Sequence, residues 1–160
     1  MSEEKYIKFI ETIEDILEHD KIYEMKNYIQ HRTTNCFEHC LYVSFISYAI
    51  SNSVSSKSIA ETARGAMLHD FFLYDWHITK HEKMHAFAHG RIALENSENY
   101  FELTEREKEI ILKHMWPVTP RFPRYFSTYV VTIADKYCAV MEFFGLNKRF
   151  LRKARVLGIL

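Results

Sequence analysis

The chain has 160 residues, of which 48% are apolar, with 21 basic and 21 acidic side chains. That length and apolar content are enough for one core of independently folding size. The balanced charge removes any global field that would recruit a nucleic-acid polymer or an anionic membrane. Cys36, Cys40 and Cys138 follow no metal-finger spacing, and Met1 to Lys5 leads into no apolar signal segment. A reduced cytoplasmic protein is therefore expected, with the thiols as packing groups rather than ligands. The longest apolar stretch, Leu41 to Ile50, is broken by Ser44 and Ser47 and is too short to span a bilayer.

Glycine and proline are scarce, and no long run of β-branched residues alternates with polar ones, so the pattern predicts helices throughout. Tyr6, Phe9, Ile10, Ile13, Ile16 and Leu17 recur at helical spacing and predict one long amphipathic helix, interrupted near Asp20. A second helix is expected from Asn35 to Ile50, reached through the polar turn Arg32-Thr33-Thr34 and carrying His39 in a stripe with Val43, Ile46 and Ile50. Residues 51–56 read as a loop, with Ser55 or Ser56 as the cap of a third helix that ends on His69-Asp70. From Phe71 to Lys83 helical periodicity is lost, and loops of that length inside a compact domain are usually functional.

A fourth helix from His85 to Asn96 carries His89. A fifth opens at Thr104, whose spacing to Glu107 fits a capping box, and is expected to end at Trp116 before Pro117, with His114 in its last turn. A sixth, Tyr125 to Phe144, bears Asp135 inside the run Val130 to Ala134. Lys148 to Arg155 predicts a short basic terminal helix, in a tail of about residues 146–160 beyond a core of about 27–144. The expected fold is an all-α, single-domain bundle.

His69-Asp70 is the feature with most chemical content. Taken singly, His39 and His114 read as satisfied core residues and the doublet as a polar helix end followed by a cap. The ordered set His39, His69, Asp70, His89, His114 and Asp135 places a candidate ligand on each of several successive helices. Imidazole nitrogens and carboxylate oxygens suit first-row divalent metals, and six such groups exceed what one tetrahedral ion needs. An aspartate amid apolar residues, as Asp135 is, needs a cation, a helix-end donor or a raised pKa; an ion pair with Lys136 or an arginine is the alternative to a metal. His77, His81, His85 and His89 fall at intervals of four, so His85 competes with His89.

The ordered set resembles the HD-domain superfamily of metal-dependent phosphohydrolases, specifically its binuclear subgroup, over about residues 27–144. The resemblance implies an HD-type helical bundle with its metal site among the central helices. It implies two divalent transition-metal ions, iron or manganese first, with zinc, nickel, cobalt and magnesium as alternatives. His39, His69 and Asp135 would hold one ion, His89 and His114 the other, and Asp70 would bridge them and act in catalysis. The implied reaction is hydrolysis of a phosphoester or phosphoanhydride in a small metabolite or nucleotide, with a metal-activated hydroxide. The Gly-Tyr-Pro signature of cyclic-dinucleotide phosphodiesterases is missing, and Met115 stands where those enzymes often carry a second consecutive histidine.

Asp75 and His77, in the loop after the doublet, are the expected proton-transfer groups. His31, Arg32, Lys80, Arg121 and Lys136 are the candidate substrate contacts, with Arg91 and Arg124 as further cations. Two other readings keep the same ligands: a di-iron oxygenase, and a non-enzymatic helical regulator in which metal is structural.

Overall fold

The computed structural model describes the backbone of residues 3–74 and 85–160, and the side chains of 4–74 and 88–160. The predicted all-α, single-domain fold is what it shows. The elements are α1 (Glu3–Thr12), α2 (Glu14–Leu17), a 3₁₀ helix (Asp20–Asn27), β1 (Ile29–His31), β2 (Thr34–Asn35), α3 (Cys36–Ser53), α4 (Ile59–Leu68), α5 (His85–Tyr100), α6 (Glu105–Lys113), α7 (Phe126–Phe143) and α8 (Lys148–Val156).

The N-terminal segment is not one long helix. It breaks at Ile13, whose φ of −120° and ψ of 15° lie outside the helical region, and it reforms as the short α2 and the 3₁₀ turn. Ile13, Ile16, Ile22 and Met25 are nevertheless all buried, because each short piece aims its apolar side at the same core. The polar turn at 32–34 belongs to an antiparallel hairpin, with Arg32 in the left-handed region at φ 52°. Two strands of three and two residues are too brief to leave a periodic signal.

α3 is the central element. Asn35 is its cap rather than its first residue: the side chain accepts the Glu38 amide at 2.9 Å while Glu38 returns a contact to the Asn35 amide, forming a capping box. The helix then runs through Ser53, so residues 51–53 are helical and not loop. Cys36 to Phe45 are buried without interruption, so the expected stripe is a helix packed on all sides. α4 and α7 lie against it, and α6 packs on α4, α5 and α7. Ser58, not Ser55 or Ser56, precedes α4, and its side chain makes no capping bond; Ser55 sits at φ 51° and Ser56 Oγ accepts the Ser58 amide.

Gly65 lets α4 settle on α6, since a Cβ there would stand 2.9 Å from the Ile110 side chain. Arg64 locks the same contact, reaching Glu107 at 2.6 Å and also pairing with Asp15. α6 stops at Lys113 instead of Trp116, with His114 as its C-cap. The expected Thr104 and Glu107 capping box is present.

Glu109 organises the approach to α7. Its Oε1 accepts the amides of Arg124 and Tyr125 at 2.7 and 2.8 Å and the Thr128 hydroxyl at 3.1 Å, while Oε2 meets Lys113 at 3.0 Å. Burial opposes its charge, but the Tyr125 amide, Lys113 and the Arg124 amide outweigh it and hold the carboxyl below its ordinary 4.5. Its stabilising effect is therefore complete above that value and lost as pH falls through the depressed one. Glu109→Ala should cost about 3 kcal/mol at pH 7, because several donors lose a charged acceptor. Urea unfolding checks this, and the gap to wild type should narrow on acidification below 4.5.

Candidate metal centre

The six residues of the ordered set converge. His39 sits in the first turns of α3, His69 is the C-cap of α4, and Asp70 follows it. His89 lies on α5, His114 caps α6, and Asp135 lies midway along α7. All four imidazoles and Asp70 are buried, and the Asp135 side chain is 14% exposed.

Asp70 stands at the middle with its two oxygens facing opposite ways. Oδ2 is 3.4 Å from His69 Nε2 and 4.0 Å from His39 Nε2, while Oδ1 is 3.4 Å from His89 Nε2 and 3.5 Å from His114 Nε2. Asp135 Oδ1 closes the first group, 3.2 Å from His39 Nε2 and 3.9 Å from His69 Nε2. His89 Nε2 and His114 Nε2 close the second at 2.9 Å.

The outward nitrogens are tied down. His69 Nδ1 meets the Ala66 carbonyl at 2.7 Å and His114 Nδ1 meets the Ile111 carbonyl at 2.9 Å. A carbonyl oxygen only accepts, so Nδ1 carries a proton in both rings and Nε2 is the nitrogen turned toward the cluster, where it could coordinate a metal. His39 Nδ1 lies 3.0 Å from Glu142 Oε2, with both side chains fully buried. Gln30 Nε2 donates to Asp70 Oδ2 at 2.6 Å and fixes that carboxylate. Gly90 eases the approach of α5 to α6: a Cβ there would crowd the Ile111 and Leu112 carbonyl oxygens at 3.1 and 3.3 Å.

Buried polar atoms are normally paired, yet His39 Nε2, His69 Nε2 and Asp70 Oδ1 make no well-aligned hydrogen bond among the described residues and instead face the other donor atoms of the cluster at 3.2–4.0 Å. All three face the same interior. Ligand bonds of about 2.0–2.2 Å place neighbouring donors on one ion about 2.9–3.5 Å apart. The His89–His114, Asp70–His89, His39–Asp135 and His69–Asp70 separations fall in that span. The donor set fits a divalent cation, and His39, His69 and Asp135, or His69, Asp70 and His114, are groups that can hold one.

Protonation agrees with that use. Burial disfavours both carboxylates' charge, but His69, with His89 and His114, holds Asp70 well below its ordinary value, and His39 with His69 does the same for Asp135. Burial next to His69 pushes His114 down to about 3, leaving it neutral. His39 and His69 move the other way: burial disfavours their charge, but Glu142 and Asp135 acting on His39, and Asp70 on His69, raise both well above the usual imidazole range. Without a cation the cluster balances its acids with protons at these two rings, which a metal would displace.

The remaining candidates lie as follows. His31 is half-buried on β1 with its ring 5.1 Å from that of His39, and burial lowers its basicity, leaving a neutral imidazole. Lys136 lies 3.9 Å from Asp135 Oδ2 and is 45% exposed. Arg32 is drawn away: it donates to the Phe143 carbonyl at 2.7 Å and covers that ring, pinning the hairpin to the end of α7. Arg91 and Arg121 are exposed and make no ion pair among the described residues, and Arg124 lies over Tyr125. Asp75, His77 and Lys80 lie outside the described residues, as do His81 and the His85 side chain. The three cysteines are buried, and burial raises each thiol, most strongly at Cys40 and Cys138, as packing groups require.

Sequence reasoning missed Glu142 and Gln30. Glu142 was legible in one respect: it follows Asp135 by seven residues, two helical turns on, and so shares its face. Comparisons with protein-family models, curated proteins and solved structures gave no match. Among the described residues, no helix is long and apolar enough to cross a membrane.

Proposed function

We propose that the chain is a metal-dependent phosphohydrolase of the HD superfamily, cleaving a phosphoester or phosphoanhydride of a small metabolite or nucleotide with two divalent transition-metal ions, iron or manganese first. The observation that carries this reading is the division of Asp70, one oxygen toward His39 and His69 and the other toward His89 and His114. His39, His69 and Asp135 would hold one ion, His89 and His114 the other, and Asp70 would contribute to both. When bound, such ions acidify water toward neutrality and draw charge from phosphoryl oxygens.

The protein's own part is positioning, which phosphoryl transfer chiefly needs. Glu142 and the Ala66 and Ile111 carbonyls hold the imidazoles in the tautomer and rotation that face the centre. Gln30 keeps Asp70 from rotating. Lys136, partly exposed beside Asp135, is placed to offset the charge of an incoming phosphoryl group, and neutral His31 is a group able to accept a proton next to His39.

The test is a screen of phosphomonoesters, nucleotides and dinucleoside polyphosphates with manganese- or iron-loaded protein, run beside oxygen-uptake measurements on the iron form. Phosphate or nucleotide release that disappears on chelation and in Asp135→Ala is the expected result. Oxygen uptake without phosphate release would replace hydrolysis by oxidation. Silence in both with metal bound would leave a structural metal in a regulator.

A further inference from the structure

Away from the metal centre, α1, α3 and α8 enclose a cavity of about 380 Å³, within the size range of small-molecule sites. Its floor is aromatic. Tyr6, Tyr42, Phe45 and Phe150 line it, with Phe150 centred 4.7 Å from Tyr42 and 5.2 Å from Phe45. Its rim carries Arg149 and Lys153, one turn apart on α8, with no acidic residue in the lining. Neither cation forms an ion pair among the described residues, although Arg155, two positions after Lys153, is held by Glu38 at 3.1 Å. Lys153 instead projects over the Tyr6 ring, 5.5 Å from its centre. The Tyr6 hydroxyl is itself buried without a hydrogen-bond partner among the described residues.

An aromatic floor recognises an apolar body, and two cations without acids select a negative charge at one end of it. We infer that this cavity is a second ligand site, taking a small molecule with an apolar body and one acid group that meets Arg149 and Lys153. The acid can be borne by an acyl chain or by an aromatic ring, since the floor packs against either. This site shares no residue with the metal centre and stands independently of the hydrolase reading.

The probe is 1-anilinonaphthalene-8-sulfonate, an aromatic body with one sulfonate, titrated into the full chain by fluorescence. Saturable binding of one probe per chain is expected. The uncharged N-phenyl-1-naphthylamine should bind at least tenfold more weakly, as should the sulfonate to the double variant Arg149→Glu, Lys153→Glu, whose fold is checked by its melting temperature. Leu146→Trp, at the exposed lip of the cavity, should block the probe by bulk with both cations kept. Displacement by decanoate identifies an acyl acid and displacement by indole-3-acetate an aromatic one. Equal affinity for both probes, binding that survives both variants, or displacement by neither acid would overturn the assignment.

Discussion

Asp70→Ala should lose divalent-metal binding in both halves of the cluster together, and phosphate release should fall about a thousandfold or more, as happens when a member of an interdependent set is removed. The reason is geometric. Its Oδ2 faces the His39 and His69 side and its Oδ1 the His89 and His114 side, so one substitution removes a donor from each. His114→Ala removes one nitrogen from one half and should weaken one ion while the other stays bound. Metal content by elemental analysis after dialysis, with circular dichroism to confirm the helical fold, separates the two variants. Undiminished binding of two ions by Asp70→Ala would end the bridging assignment.

Glu142→Ala should lower metal affinity about 100-fold and Glu142→Gln about tenfold, the range found when a carboxylate supporting a ligating histidine is removed. Glu142 acts on the centre through its 3.0 Å contact to His39 Nδ1. Glutamine keeps an acceptor for that N–H but not the charge that makes the ring a stronger donor, which is why its loss is smaller. Competition with a chromophoric chelator measures affinity without reference to turnover. Equal, negligible effects in both variants would show that α3 packing alone orients the ring.

Much of this arrangement is readable in the sequence, and what is not has a common cause. The ligand-bearing helices follow from local periodicity and from caps such as Thr104 with Glu107, both signals within a few residues. His69 and His114 could be placed at helix ends for the same reason. Gln30 and Glu142 act across separations of 40 and 103 residues, on chain neighbours that advertise nothing, so only the folded contacts reveal them. Arg32, a candidate substrate cation, shows the same limit: the folded chain brings the Phe143 carbonyl, 111 residues away, within 2.7 Å of it. The hairpin was missed because its two strands are shorter than the window in which alternation shows. His89 makes the 2.9 Å approach to His114, while the side chain of His85, its rival four residues earlier, lies outside the described residues.

His69 and His114 share a local arrangement that His39 lacks. Each terminates a short helix, and each gives its Nδ1 proton to the carbonyl three residues earlier, at Ala66 and at Ile111. The last carbonyls of a helix have no partner within it, so a histidine at that point satisfies one and is aimed by it. These two ligands therefore carry their own orientation, encoded within four consecutive residues. His39 lies inside α3, where the backbone carbonyls are already engaged, and must borrow its orientation from Glu142 on α7. His69 and His114 can thus be aimed by their own helix ends, whereas His39 and Asp135 take their places only when α7 docks, so that side of the cluster reports complete folding.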